Sequence, residues 1–299
     1  MHNTPQVSVV IASYNAEKTV ERCLLSLKNQ ITDKTFEIIA VDSSMDNTPK
    51  LIMKKFPEVR LYTFPERRFP GDARNFGVSV SSSEIIAFID TDCIADKNWI
   101  DEILRAHQSS YPVIGGAIAN GNPDNYISWA AYFCEFSQWM PRLSTCYMDD
   151  IPTCCLSVKR WVFEKYGPFL EGTYSEDTAF NWRLTRDRLP PLFVPSIKIS
   201  HINIKNFGVF LRKEFVHGRY FSWVRIQEQK FSGCKRMVFA FLFPVLPFVL
   251  FSRTCRRMIN NKIYLKYFIL ASPLVFIGLF IWALGELLGY VSRRKRPHP

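Results

Sequence analysis

The sequence predicts an α/β protein built on a mostly parallel sheet with flanking helices, continued by C-terminal hydrophobic helices. Three observations predict it. Short runs rich in Val and Ile alternate with stretches of helical spacing over residues 7–89. Several of these runs end in polar residues, namely Ser13-Tyr14-Asn15, Asp42-Ser43-Ser44 and Asp90-Thr91-Asp92. Long apolar segments with interleaved basic side chains then fill residues 226–299.

Residues 7–12 and 36–41 are compact apolar runs of strand length, as expected of strands buried on both faces. Between them Val20, Cys23, Leu24 and Leu27 recur at helical spacing, which predicts a helix over 17–29. Residues 47–56 read as a helix, 59–64 as a strand, 72–80 as a helix, and the apolar run 85–89 as the next strand. Repeated strand–helix–strand units imply right-handed crossovers, with ligands bound beyond the carboxyl ends of the strands. Farther on, 99–107 reads as a helix, 113–118 as a strand, 120–125 as a turn cluster and 153–158 as a strand. Residues 126–150 show no period and are expected to be irregular. A helix over 176–188 opens on two acids, a short strand covers 197–200, and 207–229 is aromatic, basic and amphipathic.

The length of 299 residues suits one large domain with an appendage. Residues 1–200 hold 21 Lys and Arg against 24 Asp and Glu, whereas residues 201–299 hold 17 against 3. We therefore expect a globular domain over 1–225 and a basic membrane-associated region over 226–299, with apolar segments 237–252 and 267–291. A globular part without excess positive charge argues against nucleic acid as a partner, and basic residues among apolar runs point to membrane lipid. The segment 237–252 carries Pro244 and Pro247 and is short for a span, whereas 267–291 has the length of a transmembrane helix. Arg253, Arg256, Arg257, Lys262 and Lys266 lie between the segments; Arg293, Arg294, Lys295 and Arg296 follow the second. Both flanks favour the inside, so charge does not separate one span from two, and a hairpin in the cytoplasmic interface satisfies both. Residues 1–12 carry no secretory pattern, and the 8 cysteines show no Cys-x-x-Cys pair or zinc spacing. The expected location is the membrane, with the globular domain on its cytoplasmic face.

Asp90-Thr91-Asp92 ends the 85–89 run. Carboxylates at i and i+2 of an extended segment point the same way and can approach one ion. Hard oxygen ligands suit Mg²⁺ or Mn²⁺, which commonly bridge to substrate phosphates.

These motifs assemble into a pattern. Val7-Ser8-Val9-Val10-Ile11-Ala12-Ser13-Tyr14-Asn15-Ala16 resembles the opening strand and loop of family 2 glycosyltransferases. Val41-Asp42-Ser43-Ser44-Met45-Asp46-Asn47-Thr48 is similar to their second nucleotide-binding loop, and Gly71-Asp72-Ala73-Arg74-Asn75-Phe76-Gly77 to the helix before their Asp-x-Asp strand. Asp90-Thr91-Asp92-Cys93 resembles that motif, and Ser175-Glu176-Asp177 the acidic pair that heads their catalytic helix.

The resemblance covers roughly residues 5–225 and implies the GT-A fold, a Rossmann-like sheet. It implies inverting transfer of a single sugar from a nucleotide-diphosphate sugar, foremost a UDP-sugar, to a hydroxyl of a lipid-linked or surface-glycan acceptor. On this pattern Asp177 is the general base and Glu176 positions the acceptor. Ala12, Ser13, Tyr14, Asn15, Asp42, Ser44, Arg74, Asp90 and Thr91 contact the nucleotide sugar, with Asp42 reading the base. Asp90, Asp92 and His201 hold Mg²⁺ or Mn²⁺. A carboxylate at a helix N-terminus has a lowered pKa, so the basicity of Asp177 has to come from its surroundings.

Two departures bear on this. Ser44-Met45 stands where the family often has Gly and Ser, and Arg219-Tyr220-Phe221-Ser222-Trp223 is not the Gln-x-x-Arg-Trp of processive members, so single-residue transfer is expected. A nucleotidyltransferase of similar fold would carry a Gly-rich basic loop near its first strand, which residues 13–19 are not. An inactive membrane scaffold would have lost acids among Asp42, Asp90, Asp92 and Asp177, and all are present.

Overall fold

The computed structural model describes residues 4–292. The first three residues and the basic cluster Arg293, Arg294, Lys295 and Arg296 lie outside the described residues. In chain order the elements begin with β1 (Val7–Ser13), α1 (Val20–Lys28), β2 (Phe36–Asp42), α2 (Thr48–Lys55), β3 (Arg60–Thr63), α3 (Pro70–Ser79) and β4 (Ile85–Phe88). There follow β5 (Cys93–Ala95), α4 (Trp99–His107), β6 (Val113–Asn120), α5 (Tyr126–Phe136), β7 (Cys146–Tyr147), β8 (Leu156–Lys159), α6 (Arg160–Tyr166), α7 (Glu176–Arg186) and β9 (Leu192–His201). Four helices complete the chain: α8 (Phe207–Glu228), α9 (Gly233–Phe241), α10 (Leu246–Asn260) and α11 (Leu265–Val291). The chain divides into two compact units, residues 4–119 with 144–201, and residues 120–143 with 202–292.

The first unit is built on the sheet, ordered β3-β2-β1-β4-β8-β6-β9-β5, with β7 paired to β9. Strands β3, β2, β1 and β4 run parallel, whereas β8 is antiparallel to both β4 and β6, and β5 and β7 are antiparallel to β9. The parallel half matches the strand–helix alternation of residues 7–89, and the antiparallel half follows where that alternation loosens. Val7, Val9, Val10 and Ile11 of β1 are wholly buried, as expected of a central strand covered on both faces. The strand order reverses at β1 and β4, which opens a crevice beyond their carboxyl ends.

Several expectations need correction. Strand β5 has only three residues, too few for periodicity to reveal. The predicted strand 197–200 is the end of the ten-residue β9, whose Pro195 obscures its earlier half. Predicted strand 153–158 opens as a 3-10 turn over Thr153–Cys155 before β8.

The second unit contains α5, although residues 126–150 were expected to be irregular. Asn125 caps α5 by accepting from Ser128 N, and the helix buries Trp129, Ala130, Ala131, Tyr132 and Phe133 consecutively. A helix covered on several sides has no polar stripe, so its sequence carries no amphipathic signal. Trp129 stacks on Tyr267 of α11 with ring centroids 4.3 Å apart, and Phe133 meets Phe268 edge-on. Helices α8 and α11 approach closely: a Cβ on Gly218 would sit 1.9 Å from Trp282 O, and one on Gly285 2.1 Å from Phe215 O. Lys213 Nζ of α8 pairs with Glu135 Oε1 of α5 at 2.9 Å. Helix α11 is long and apolar enough to cross a membrane, and α9 with α10 forms a pair bent by 67°.

Helix α3 seats on β1 through Gly77, where an added Cβ would lie 2.4 Å from Val10 Cγ1. Val10 is β-branched and buried, so it has no room to move aside. Gly77→Ala should gain about 1 kcal/mol of helix propensity yet lose ~1–3 kcal/mol to overpacking. A net loss of about 1–2 kcal/mol is expected from urea unfolding; unchanged or raised stability would disprove this close seating.

Candidate active site

The crevice begins with two interlocked loops. Ser13, the last residue of β1, donates through Oγ to Asp42 Oδ2 at 2.5 Å. Ser44 donates its N–H to Asp42 Oδ1 at 2.9 Å and its hydroxyl to Oδ2 at 2.8 Å. Asp42 is buried, so its carboxylate organises its own loop rather than projecting into the crevice. Asn15 adopts a positive φ of 49°, a conformation Asn tolerates better than most residues. Its N–H donates to Ser44 Oγ at 2.6 Å while its Oδ1 accepts from Met45 N at 2.9 Å. The β1–α1 and β2–α2 loops are thus pinned together, leaving Ala12, Ser13 and Tyr14 to line the cleft.

Helix α3 joins these loops to the acids. Asp72 accepts from Phe69 N at 3.1 Å and from Gly172 N at 3.0 Å, capping its own helix and holding a distant loop. Asn75 exchanges two hydrogen bonds with the main chain of Phe169, at 2.9 and 3.0 Å. Gly71 lets that loop approach, since a Cβ there would lie 2.7 Å from Leu170 O and 3.1 Å from Glu176 Cγ. Arg74, 3% exposed, donates Nη1 to Glu176 Oε1 and Nη2 to Asp90 Oδ1. One guanidinium fork therefore spans from the Asp-x-Asp turn to the head of α7.

Asp90, Thr91 and Asp92 form the turn between β4 and β5, closed by Cys93 N donating to Asp90 O at 3.0 Å. Pairing of β5 with β9 sets Cys93 opposite His201. This register brings His201 Nε2 to 3.5 Å from Asp92 Oδ1. Asp92, Cys93 and His201 each offer one ligand atom, all within 4.8 Å of one another. Burial pushes the Cys93 thiol far up, while Asp92 and His201 offer oxygen and nitrogen donors. A half-exposed carboxylate beside an imidazole fits Mn²⁺ or Mg²⁺ better than a thiolate-seeking metal.

Glu176 and Asp177 open α7, as predicted, yet their settings differ. Glu176 is buried, and burial pushes its carboxyl up to about 8 against the pull of Arg74. Its Oε2 is buried without a hydrogen-bond partner, a placement that a proton relieves. Asp177 is half-buried, its Oδ1 accepting from Thr178 N at 2.8 Å and its Oδ2 approached by Thr153 N at 3.5 Å. Burial raises the Asp177 carboxyl, opposed by Arg74. This supplies the elevated basicity that a helix N-terminus alone would deny it. Asp150, which the sequence reading did not single out, is raised further by burial and by Asp177. Asn181 links the two acids, donating to Asp150 Oδ1 at 2.8 Å and to Asp177 O at 2.9 Å.

The cleft has a volume of about 240 Å³. Ala12, Ser13, Tyr14, Arg74, Asp90, Thr91 and Asp92 line it; Asn15, Asp42, Ser44, Glu176, Asp177 and His201 lie outside the lining. Arg67, Arg68 and Tyr174 also line it, and sequence reasoning missed them. Arg67 lies over the Tyr14 ring at 4.5 Å and donates to Tyr174 Oη; Arg68 lies over Phe64 at 3.6 Å. The adjacent arginines just before the Gly71–Gly77 motif were the available signal.

Removing the guanidinium leaves two carboxylates without their shared counter-charge. Arg74→Met is expected to cost about 3–5 kcal/mol in denaturant unfolding, the range for breaking a buried ion pair. Glu176 binds its proton more tightly when folded than when unfolded, so its contribution is complete at low pH. That contribution fades from the ordinary carboxylate range up to about pH 8. Glu176→Gln should remove this slope, at most ~1.4 kcal/mol per pH unit. Parallel stability–pH curves for the two proteins would contradict the assignment.

A profile of the family described as glycosyl transferase family 2 matches residues 8–163. The glycosyltransferase AglE of Haloferax volcanii is 26% identical over 222 residues, covering 72% of this chain and 72% of that protein. Validoxylamine A glucosyltransferase of Streptomyces hygroscopicus subsp. limoneus is 29% identical over 205 residues, or 66% of this chain and 42% of that protein. Among solved structures, mannosyltransferase PcManGT from Pyrobaculum calidifontis, in complex with GDP-Man and Mn²⁺, is similar with a TM-score of 0.64. The alignment is 14% identical and covers 98% of this chain and 89% of that one. S. aureus TarS 1-349 in complex with UDP-GlcNAc gives 0.57 at 14% identity, over 95% of this chain and 91% of that one. These structures share the GT-A fold, and the profile match spans more than half of the sequence. This chain is therefore a glycosyltransferase that belongs to glycosyl transferase family 2.

Proposed function

We propose that the protein transfers one sugar, with inversion, from a nucleotide-diphosphate sugar to a hydroxyl of a lipid-linked or surface-glycan acceptor. The observation that carries this reading is the cleft lining, which holds Asp90 and Asp92 together with Arg67 and Arg68. Carboxylates suit a divalent metal and the arginines suit a diphosphate, so the lining complements both parts of such a donor. The similar structures bind GDP-Man and UDP-GlcNAc, which supports a nucleotide-sugar donor and leaves a UDP-sugar as the first to test.

In this reading Asp92 and His201, with Asp90 beside them, would hold Mn²⁺ or Mg²⁺. The ion would supply Lewis-acid relief for the departing diphosphate. Arg67 and Arg68 grip the same phosphates, and Tyr14 and Ser13 hold the nucleotide against the loop that Asp42 and Ser44 organise. Asp177 accepts the proton of the acceptor hydroxyl as its oxygen bonds to the anomeric carbon. The bond from that carbon to the phosphate oxygen breaks, and the nucleoside diphosphate leaves with the bonding pair. Glu176 is buried on Arg74 and serves to position Asp177 and Asp90. The apolar, basic C-terminal helices associate with a membrane and bring the chain to an acceptor there. Free thiols at all eight cysteines suit the reducing, cytoplasmic side.

Nucleotide release from UDP-, GDP- and dTDP-sugars, with and without Mn²⁺, tests the assignment. Turnover of one donor is expected, with strong loss on metal chelation. Asp177→Asn should lower kcat by ~10³-fold or more while the donor KM stays within a few-fold, as removal of a general base requires. Asp92→Asn should raise the Mn²⁺ concentration needed for half-activity. Full activity of Asp177→Asn would remove this residue from the chemistry.

A further inference from the structure

We propose that α9 and α10 form an apolar wedge with basic shoulders that docks the chain into one leaflet of an anionic bilayer, without crossing it. The proposal deepens the membrane-association reading above and rests on it.

The two helices are bent by 67° at residues 242–245, around Pro244. The residues about this bend are apolar and turned outward: Phe241 is 87% exposed, Phe248 63% and Val245 56%. Met237 and Val238 extend the same exposed surface along α9. Large apolar side chains at a bend and open to solvent mark an interaction surface. The charge around them identifies the partner. Lys235 stands exposed about two turns before the bend, and Arg253 and Arg256 stand exposed beyond it on α10. No Asp or Glu occurs from residue 229 to residue 285. An apolar apex between cationic shoulders fits acyl chains below anionic headgroups. A protein partner of matching shape would have to be apolar at its centre and acidic at both rims.

The same unit argues against a crossing by α11. One face of α11 is covered along its length, by α5 at Phe268 and Val275 and by α8 from Gly278 to Gly289. Helix α8 brings Arg212, Lys213, Glu214, Arg219 and Arg225 beside it, and α5 brings Glu135. Arg225 Nη1 lies 3.5 Å from Glu286 Oε1 within this seam. If α11 spanned the bilayer, these charges would travel into hydrocarbon, where they are strongly disfavoured. Helix α11 instead serves as the strut on which the wedge is mounted, through Phe248 and Phe251 against Phe276. Neither helix of the wedge is long enough to span by itself, α9 having 9 residues and α10 15, and the two are bent by 67° rather than aligned as one rod.

Flotation of the full-length protein with vesicles of phosphatidylcholine alone, and with phosphatidylglycerol added, tests the surface. Wild type should float with anionic vesicles, and Phe241→Ser with Phe248→Ser should reduce the bound fraction about tenfold. Arg253→Gln with Arg256→Gln should abolish the preference for anionic vesicles. Donor turnover, which depends on residues outside the wedge, should persist in both variants and shows that they are folded. Undiminished flotation of the apex variant overturns the wedge, and no flotation of the wild type overturns the membrane reading itself. Topology is read in sealed vesicles carrying the catalytic unit outside, with one epitope at residue 261 and another after Pro299. Proteolysis of both epitopes supports one-leaflet docking. Protection of the residue 261 epitope alone reveals two spans, and protection of the terminal epitope alone reveals a crossing by α11; either overturns the proposal.

Discussion

The site depends on a buried guanidinium. Arg74 is almost wholly removed from water, and an isolated ion so placed is costly by several kcal/mol. It is tolerated because Asp90 and Glu176 flank it. Those acids come from the turn after β4 and from the head of α7, so the charge requirement of one residue fixes the distance between two functional segments. The triad carries two acids against one base, and burial answers the excess by raising the Glu176 carboxyl. The chemistry of α7 and the stability of the sheet are in this sense one electrostatic problem.

Helix α3 is the mechanical counterpart of that triad. Within one short helix, Gly71 admits a neighbouring loop, Asp72 and Asn75 tie it down, Arg74 reaches two acids, and Gly77 closes on β1. Each of these residues has a distinct steric or polar task, and none has spare freedom. A helix so committed reads in sequence as poorly amphipathic, because its pattern is set by neighbours rather than by a single apolar face.

This distinction explains what was legible. Strands β1 and β2 were plain because burial on both faces demands unbroken apolar runs, and their ends were plain because polarity returns where the sheet meets the crevice. The Asp90–Asp92 pair was legible for the same reason. Helix α5 was not, since burial on several sides erased its period, and β5 was too short to have one. Asp42 stood out as an acid at a strand end, but only the fold shows its carboxylate engaged by Ser13 and Ser44. Arg67, Arg68 and Tyr174 were hidden because their proximity is tertiary: Arg67 and Tyr174 lie 107 residues apart in sequence. Local pattern records what an element buries, and it is silent about which loops meet.

The pairing of β5 with β9 carries a consequence in the arithmetic of the chain. Strand β9 is gripped at both ends, Leu192 and Phe193 against Tyr147 and Cys146, and Ile199 to His201 against Ala95 to Cys93. Side chains alternate between faces along a strand. One residue inserted between these grips would set Ser200's successor one place late and turn the imidazole to the opposite face. The juxtaposition of His201 with Asp92 is therefore encoded in a residue count as much as in residue identity. A chain could keep every acid, every arginine and the histidine, and still lose the site to a single miscounted step.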